Sequence, residues 1–274
     1  MKNGGPNVRP ERFIFMLTDY HMHSCYSADS QTPIKQHLDA ATAAGVTHIC
    51  FTDHVDFDGC NLIPADLAAR NAEIARLAPL YPSLDISLGM EIGLDGEKTN
   101  SLAHRHAKDV HLDFIIGSVH LVDGVDSYYP EFFTGRTKEQ AFGCYVQKLS
   151  EAIKVSDFSV MGHYDFCAKY CPYEDSAMRY NMFPELFDDI FRFLIQSGRT
   201  MEINTAAWWD KPAWGLDILS RYRELGGEFV TVGSDAHKPE RVGGRIREAM
   251  ELAKAAGINY IATYKDMKPT MHRI

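Results

Sequence analysis

The sequence lacks long hydrophobic runs and an excess of basic residues. No apolar stretch approaches the roughly 18 residues that a membrane-spanning helix needs, so no membrane association is expected. Asp and Glu number 37 against 28 Lys and Arg, which gives a formal net charge of -9 over 274 residues. Because a nucleic-acid backbone is bound by clustered cations, this balance argues against a nucleic-acid partner. The oligomeric state stays open.

Cysteines are few and scattered, and no secretory signal is recognisable. The six thiols therefore predict reduced cysteines in the cytoplasm and not a disulfide framework. Low-complexity stretches, charge blocks and long linkers are also absent, and the hydrophobic content of 45% is typical of a globular protein. We expect a single domain over residues 1–274, with residues 1–12 as a loose leader.

What the sequence does contain is a series of short apolar runs that alternate with amphipathic segments. This alternation predicts βα units around a parallel sheet, and the length suits one α/β barrel. Seven strands are predicted at 13–20, 47–53, 84–92, 112–120, 157–163, 200–205 and 228–235. Helices are predicted at 33–44, 65–78, 98–110, 137–154, 183–197, 215–225 and 239–256. The first helix has Thr32 as its expected N-cap and Gly45 just beyond its end.

Histidine and carboxylate side chains follow these strands in a regular way. The first strand leads into His21 and His23, which point the same way because side chains alternate at period two along an extended segment. Six of the seven strands end in such groups, and a βα barrel builds its active site at the C-terminal strand ends. The candidate residues are His21, His23, Asp29, Asp53, His54, Glu91, His120, His163, Asp235 and His237.

A cluster of histidines and carboxylates suits zinc, manganese or iron, whereas calcium prefers oxygen ligands alone. All of these candidates except Asp53 are assigned as metal ligands, which makes nine. An ion with an open catalytic position uses about three protein ligands, so the set predicts three divalent ions. Closely spaced ions can hold a hydroxide and a phosphoryl oxygen together, as displacement at phosphorus requires.

The ordered motifs resemble those of the PHP (polymerase and histidinol phosphatase) superfamily and, within it, the histidinol-phosphate phosphatases. The resemblance rests on "DYHMHSCYSADS", "FTDH", "GMEIGL", "IIGSVH", "MGHYDF" and "GSDAHKPERVG". It implies a distorted (β/α)7 barrel. It also implies three ion sites. The first is formed by His21, His23, Glu91 and Asp235, and the second by Glu91, His120 and His163. The third is formed by Asp29, His54 and His237.

The implied reaction is phosphomonoester hydrolysis, most directly of L-histidinol phosphate to L-histidinol and phosphate in histidine biosynthesis, with a metal-bridging hydroxide as nucleophile. Three ions offset the repulsion between a phosphate dianion and an anionic nucleophile. Catalytic roles are assigned to Glu91 and His237 at the ions. Asp53 is a candidate acid for the leaving alkoxide, and orientation of a ligand histidine is its alternative role.

The small phosphorylated substrate has fewer defined contacts. Relatives in the family often carry arginine where this chain has Lys169, which is a point charge without the bidentate fork of a guanidinium. Lys169 either grips the phosphate or is a solvated loop lysine. The further candidates for substrate contact are Arg136, Arg179, Arg241 and Trp208.

Three alternative functions stay open. A PHP phosphoesterase could act on nucleotides or on another small phosphate. A metal-dependent amidohydrolase also begins with His-x-His, but it usually needs eight βα units and often a bridging lysine at the fourth strand, where this chain has His120. A noncatalytic regulatory module would be expected to have lost ligands, whereas all nine positions are occupied by suitable residues.

Overall fold

The structure is a computed structural model that describes residues 16–57, 63–209 and 215–274, with only the backbone described at Trp208 and Trp209. Within these residues, strands β1 to β11 are Thr18–Asp19, His48–Phe51, Asp85–Gly93, Phe114–Ser118, Leu121–Val122, Val125–Asp126, Val160–Met161, Thr200–Asn204, Phe229–Gly233, Tyr260–Lys265 and Lys268–Arg273. Helices α1 to α7 are Ile34–Ala44, Leu67–Leu77, Glu97–Ala107, Lys138–Ala152, Pro184–Gln196, Leu216–Glu224 and Ile246–Ala255. The predicted leader, residues 1–12, lies outside the described residues.

The main sheet has the strand order β1-β2-β3-β4-β7-β8-β9-β10-β11. Its neighbours pair in parallel except for the antiparallel pair β10 and β11. The seven predicted strands are β1, β2, β3, β4, β7, β8 and β9, so the mixed α/β class with a mainly parallel sheet is confirmed. Backbone bonds from Tyr20 N to Val232 O (2.9 Å) and from Asp235 N to His21 O (2.8 Å) also join the β1 segment to β9. The first and seventh strands of the predicted series therefore lie side by side, as a barrel requires.

Most residues of the parallel strands are buried, and their apolar side chains divide between a large and a small core cluster. All five residues of β4 and of β8 are buried, as in strands that are covered on both faces, although β8 includes the polar residues Thr200, Glu202 and Asn204. A small core cluster collects buried side chains from several strands: Tyr20, Cys50, Phe114, Ile116, Val160, Ala262 and Tyr264. This cluster includes Ala262 and Tyr264 of β10, a strand that was not predicted from the sequence.

The predicted N-cap of α1 and the predicted start of α7 are wrong. Helix α1 begins one residue late, with Pro33 at the N-cap position, because the Thr32 hydroxyl instead donates to the carbonyl oxygen of His237 at 2.8 Å. Its end at Gly45, in the left-handed region with φ +72°, is confirmed. Helix α7 begins at Ile246 and not near 239, because the chain first makes a single 3-10 turn and then a left-handed bend at Gly243 and Arg245.

Among the described residues, no helix combines the length and the apolar character that crossing a membrane would need.

Candidate metal centre

The C-terminal strand ends surround a cleft of about 660 Å³. That volume is in the range of small-molecule sites. Its walls include residues at or just after the ends of six of the seven predicted strands. Among them are Asp29, His54, Glu91, His120, His163, Asp235 and His237. Residues that are far apart in the sequence are therefore brought together at one end of the sheet.

One group of ligands forms around a single oxygen of Glu91. Glu91 Oε2 lies 3.1 Å from His21 Nε2 and 3.3 Å from His23 Nε2. Asp235 Oδ1 faces the same two nitrogens at 3.6 and 3.3 Å. The four side chains thus converge as the resemblance implies for the first ion.

The second oxygen of Glu91 faces a different pair of histidines. Glu91 Oε1 is 3.2 Å from His163 Nε2 and 3.5 Å from His120 Nε2. Because the two oxygens of one carboxylate face separate histidine pairs, Glu91 has the geometry of a bridging ligand.

A third group lies on the outer side of His23. Asp29 Oδ2 is 2.8 Å from His237 Nε2 and 3.4 Å from His54 Nε2. Ligand atoms of His23, Asp29, His54 and His237 all lie within 4.8 Å of one another. The structure therefore brings together all nine residues assigned as ligands, in three adjoining groups.

The donor set fits divalent ions. Buried ligand atoms without a hydrogen-bond partner include His23 Nε2 and Glu91 Oε1. Buried polar atoms in proteins are nearly always paired, so a convergent set of unpaired nitrogens and carboxylate oxygens is the chemistry of a metal centre.

The electrostatics of the cluster also favour cations. Burial opposes the charge of Glu91, but His21 and His54 outweigh it and hold the pKa of Glu91 well below its usual range. Burial likewise opposes the charge of Asp235, and Lys169 and His21 hold its pKa well below the usual range. Both carboxylates are therefore ionised at neutral pH, which is the form that binds metal.

Comparison with known proteins identifies the family. A model of the PHP domain matches residues 19–206, which is more than half of the chain. The chain belongs to the PHP domain family. The matched segment contains seven of the nine residues assigned as ligands, and the other two, Asp235 and His237, follow it.

Curated relatives of this PHP chain cover nearly all of it. It is 32% identical over 256 residues to the histidinol-phosphatase of Lactococcus lactis, with 91% of this chain and 95% of the relative covered. It is 27% identical over 242 residues to a protein named "Probable histidinol-phosphatase" from Clostridium acetobutylicum, with 87% of this chain and 93% of the relative covered.

A solved structure shares this fold over nearly the whole chain. The histidinol phosphate phosphatase from Lactococcus lactis, in a complex with zinc, L-histidinol and phosphate, superimposes with a TM-score of 0.86 at 32% identity. The match covers 93% of this chain and 98% of that one. The resemblance to PHP histidinol phosphatases is thereby confirmed.

Two carboxylates of the PHP site were not singled out from the sequence. Glu202 on β8 accepts hydrogen bonds from His21 Nδ1 at 2.9 Å and from the backbone N–H of His163 at 2.9 Å. Such a bond fixes the tautomer of a ligand histidine, and a lone glutamate in the strand "TMEINT" is the signal that could have revealed it. Asp56 is buried with its Oδ2 3.0 Å from His54 Nδ1, and it stands two residues after that histidine.

Asp53 is placed as a positioning residue and not beside the cleft. It is fully buried, and its Oδ1 accepts bonds from Ser24 N at 2.6 Å and from the hydroxyl groups of Ser24 and Ser27 at 2.8 and 3.2 Å. Ser27 Oγ in turn lies 3.2 Å from His23 Nδ1. This geometry favours orientation of His23 and does not support the role of leaving-group acid.

The candidate substrate contacts separate into two sets. Lys169 and Arg241 line the cleft. The side chain of Lys169 is only 7% exposed, and its ammonium group donates to Asp235 Oδ2 at 2.7 Å. The alternative of a solvated loop lysine is therefore wrong. Arg136 donates to the carbonyl of Phe132, Arg179 pairs with Asp175 at 2.9 Å on the surface, and neither lines the cleft. The side chain of Trp208 lies outside the described residues.

Proposed function

We propose that this PHP protein is a metal-dependent phosphoric monoester hydrolase that converts L-histidinol phosphate and water to L-histidinol and phosphate. The observation that carries the proposal is the position of Glu91 between two of the three groups of ligands, with one carboxylate oxygen facing each. The similarity over nearly the whole chain to a phosphatase whose structure holds zinc, L-histidinol and phosphate supports the choice of substrate.

Three ions of zinc, manganese or iron would be held by the three groups of side chains. His21, His23, Glu91 and Asp235 would hold the first, Glu91 with His120 and His163 the second, and Asp29, His54 and His237 the third. When bound, such ions supply a nucleophile at neutral pH and stabilise negative charge on the phosphoryl oxygens.

The protein's own residues prepare the site for a phosphate. Glu202 orients His21, and Ser27 with Asp53 orients His23, so the two imidazoles are fixed before substrate arrives. Lys169 and Arg241 add positive charge to the cleft wall, where they can meet phosphate oxygens. We assign the phosphate contact to these two residues and not to Arg136 or Arg179.

Other small phosphomonoesters are the second candidate substrates. The cleft of about 660 Å³ is large enough for a nucleoside monophosphate or a sugar phosphate, and the metal centre would act on either. The amidohydrolase alternative loses support, because the fourth strand leads to His120 at the centre and not to a lysine.

We also propose that residues 1–274 act as one domain in the cytoplasm. Buried side chains from Leu17 to Ile261 belong to one hydrophobic cluster, which supports a shared core.

The test is a phosphatase screen of the zinc- or manganese-loaded protein. Phosphate release from L-histidinol phosphate, nucleoside monophosphates and sugar phosphates would be compared as kcat/KM. We expect L-histidinol phosphate to exceed the other classes by about tenfold or more. Equal turnover of all classes, or a preference for nucleotides, would overturn the substrate assignment while leaving the phosphatase chemistry in place.

A further inference from the structure

Helix α2 carries a cation in its apolar stripe. Its buried residues are Leu67, Arg70, Ile74 and Leu77, so Arg70 lies where the helical period otherwise places an aliphatic side chain. The side chain of Arg70 is fully buried and is among the largest that are. A guanidinium stays charged in proteins, and a buried charge is costly unless it is paired. Packing alone therefore does not account for this arginine.

The ion-pair partner of Arg70 is Asp53, which is also fully buried. Arg70 Nη1 donates to Asp53 Oδ2 and to the carbonyl oxygen of Phe51, both at 3.3 Å. Its Nε and Nη2 donate to Asn71 Oδ1 at 3.1 and 2.9 Å. The cation thus joins α2 to the segment after β2, directly before the ligand His54.

The other oxygen of Asp53 faces the loop after β1. Asp53 Oδ1 accepts the backbone N–H and the hydroxyl group of Ser24 at 2.6 and 2.8 Å, and Ser27 Oγ lies 3.2 Å away. A carboxylate can only accept, so the Ser27 hydroxyl donates its single proton to Asp53. Ser27 Oγ is then an acceptor towards its other neighbours, and the backbone N–H of His54 donates to it at 3.0 Å.

This direction of donation fixes the tautomer of His23. His23 Nδ1 lies 3.2 Å from Ser27 Oγ, and because Oγ has no second proton to give, Nδ1 carries the hydrogen of this bond. His23 Nε2 is then free of hydrogen, and it faces Glu91 Oε2 and Asp235 Oδ1 at 3.3 Å each. A metal ion binds imidazole through the nitrogen that carries no proton. The bonds from Asp53 through Ser27 therefore hold His23 in the tautomer that can act as a ligand.

His23 has a central place in the metal centre. Its ring lies 4.4 Å from that of His54 and 4.3 Å from that of His237, between centroids, and is nearly parallel to both. It thus contacts the group proposed for the third ion while its Nε2 belongs to the group proposed for the first. A change in the orientation or tautomer of His23 would disturb both groups.

We infer that Arg70 is a positioning residue of the metal centre, which acts through Asp53 and Ser27 on the tautomer and orientation of His23. Arg70, Asp53 and Ser27 are here called the support network. The guanidinium offsets the buried charge of Asp53 and holds the carboxylate where Ser27 can donate to it. The inference rests on the proposed function, since it concerns the ions proposed at that centre.

The experiment measures zinc affinity by titration of chelator-treated protein against a competing chelator, together with the free energy of unfolding in urea. Arg70→Met removes the charge, and Arg70→Lys keeps it. Ser27→Ala cuts the link to His23 and leaves the ion pair intact. The double change Asp53→Leu with Arg70→Met replaces the pair by apolar side chains. Such a replacement is often neutral for stability, so this variant tests the inference even if Arg70→Met alone does not fold.

Two matched controls lie away from the cleft. Arg199 donates to Asp157 at 3.2 Å and to the carbonyl oxygen of Ser156 at 2.9 Å, which is the same kind of partner set as that of Arg70. Ser87 is a fully buried serine near the start of β3 whose hydroxyl donates to the carbonyl oxygen of Tyr264 at 3.1 Å. The control variants are Arg199→Met and Ser87→Ala.

We expect zinc affinity to fall by about tenfold or more in Ser27→Ala, in Arg70→Met and in the apolar double variant, as when other groups that orient a ligand histidine are lost. Arg70 meets Asp53 through a single nitrogen, so the ammonium of Arg70→Lys should keep zinc affinity within about threefold. Both controls should stay within about twofold, since they leave His23 untouched.

A purely structural ion pair predicts a different result. Arg70→Met would then lower the free energy of unfolding while the folded protein binds zinc as the wild type does. Wild-type zinc affinity in Ser27→Ala or in the apolar double variant would overturn the inference.

The zinc titration requires no turnover, which separates this inference from the proposed function. If the loaded wild-type protein releases no phosphate from L-histidinol phosphate, the proposed function fails, and weaker zinc binding in Ser27→Ala and the apolar double variant still supports the support network. If the wild-type protein hydrolyses L-histidinol phosphate and these variants bind zinc as tightly as it does, the inference fails alone.

Discussion

Glu202 shows how one residue behind the metal centre can control it. Both of its oxygens lie close to His21 Nδ1, at 2.9 and 3.1 Å, so the Nε2 atom of His21 is left to face Glu91. The same carboxylate accepts bonds from the N–H of His163 and from the amide of Asn204. It therefore links the ligands of two ion groups.

We expect Glu202→Gln to lower metal affinity by about ten- to a hundredfold, because the neutral amide polarises His21 less and can bond it through one oxygen only. The measurement is a zinc titration against a competing chelator, with circular dichroism to verify the fold. Asp113→Asn, which removes a carboxylate far from the cleft, is the control. Wild-type affinity in Glu202→Gln would show that the carboxylate has no part in holding the metal.

Lys169 can act in two ways, through Asp235 or directly on phosphate. Burial opposes its charge, yet Asp235 raises the pKa of Lys169 above its usual value, so it is a cation in the cleft at neutral pH. We expect Lys169→Ala to lower kcat/KM by about one to two powers of ten, the effect of a lost charged hydrogen bond, and Lys169→Arg to retain activity.

Inhibition by inorganic phosphate distinguishes the two roles. With full metal loading verified, a phosphate contact predicts an inhibition constant that rises by about tenfold in Lys169→Ala. An unchanged inhibition constant together with lower metal affinity would assign Lys169 to the support of Asp235 alone.

The strand ends that carry the ligands were predictable from the sequence, but the carboxylates that lie behind these ligands were not. His21, His120 and His163 stand directly after apolar runs, and a parallel sheet brings such positions to one edge. Glu202 lies within β8, and its contact with His21 depends on the direction in which its side chain points, which the strand pattern does not give. The β10–β11 hairpin was missed because β11 is exposed and contains Lys268, Pro269 and Arg273, a composition that does not predict a strand.

The same hairpin explains a buried carboxylate at the opposite end of the sheet. Asp113 is 2% exposed, and its oxygens accept the N–H groups of Leu88 and Asp266 and the ammonium of Lys265 at 2.9, 3.1 and 3.3 Å. Burial raises the pKa of Asp113, but these donors outweigh it and lower the pKa below its usual value. Asp113 therefore ties β3 to the β10–β11 turn.

We expect Asp113→Asn to reduce the free energy of unfolding by about 1–2 kcal/mol at neutral pH. Because the folded pKa lies below the unfolded value of about 3.9, this stabilisation is complete above that value and is lost as the pH falls through the folded pKa. Urea unfolding at several pH values is the measurement. The difference in the free energy of unfolding between the wild-type protein and Asp113→Asn should be constant from about pH 8 to pH 5 and decrease below about pH 4. A difference that does not depend on pH would show that the variant loses packing and not the charge of Asp113.

For the whole molecule, the sequence predicts the nine ligands but not the arrangement of the rest of the cleft. Metal ligands are short polar groups at strand ends, so their positions follow from the strand pattern. Substrate contacts depend on how loops fold back over the cleft. Lys169 returns to Asp235, whereas Arg136 turns away to the carbonyl of Phe132. Nothing in the local sequence distinguishes these two cations. Tyr128 and Tyr129 line the cleft after the β5–β6 hairpin, which was not predicted.

We propose that a centre of three ligand groups, two of which share Glu91, hydrolyses L-histidinol phosphate. The most direct measurement is phosphate release from L-histidinol phosphate while zinc or manganese is added to chelator-treated protein, with Glu91→Ala as the control. We expect no release from the metal-free protein, activity that saturates at two to three ions per chain, and a loss of activity in Glu91→Ala that added metal does not restore. Release without metal, saturation below one ion per chain, or no release from the fully loaded protein would contradict it.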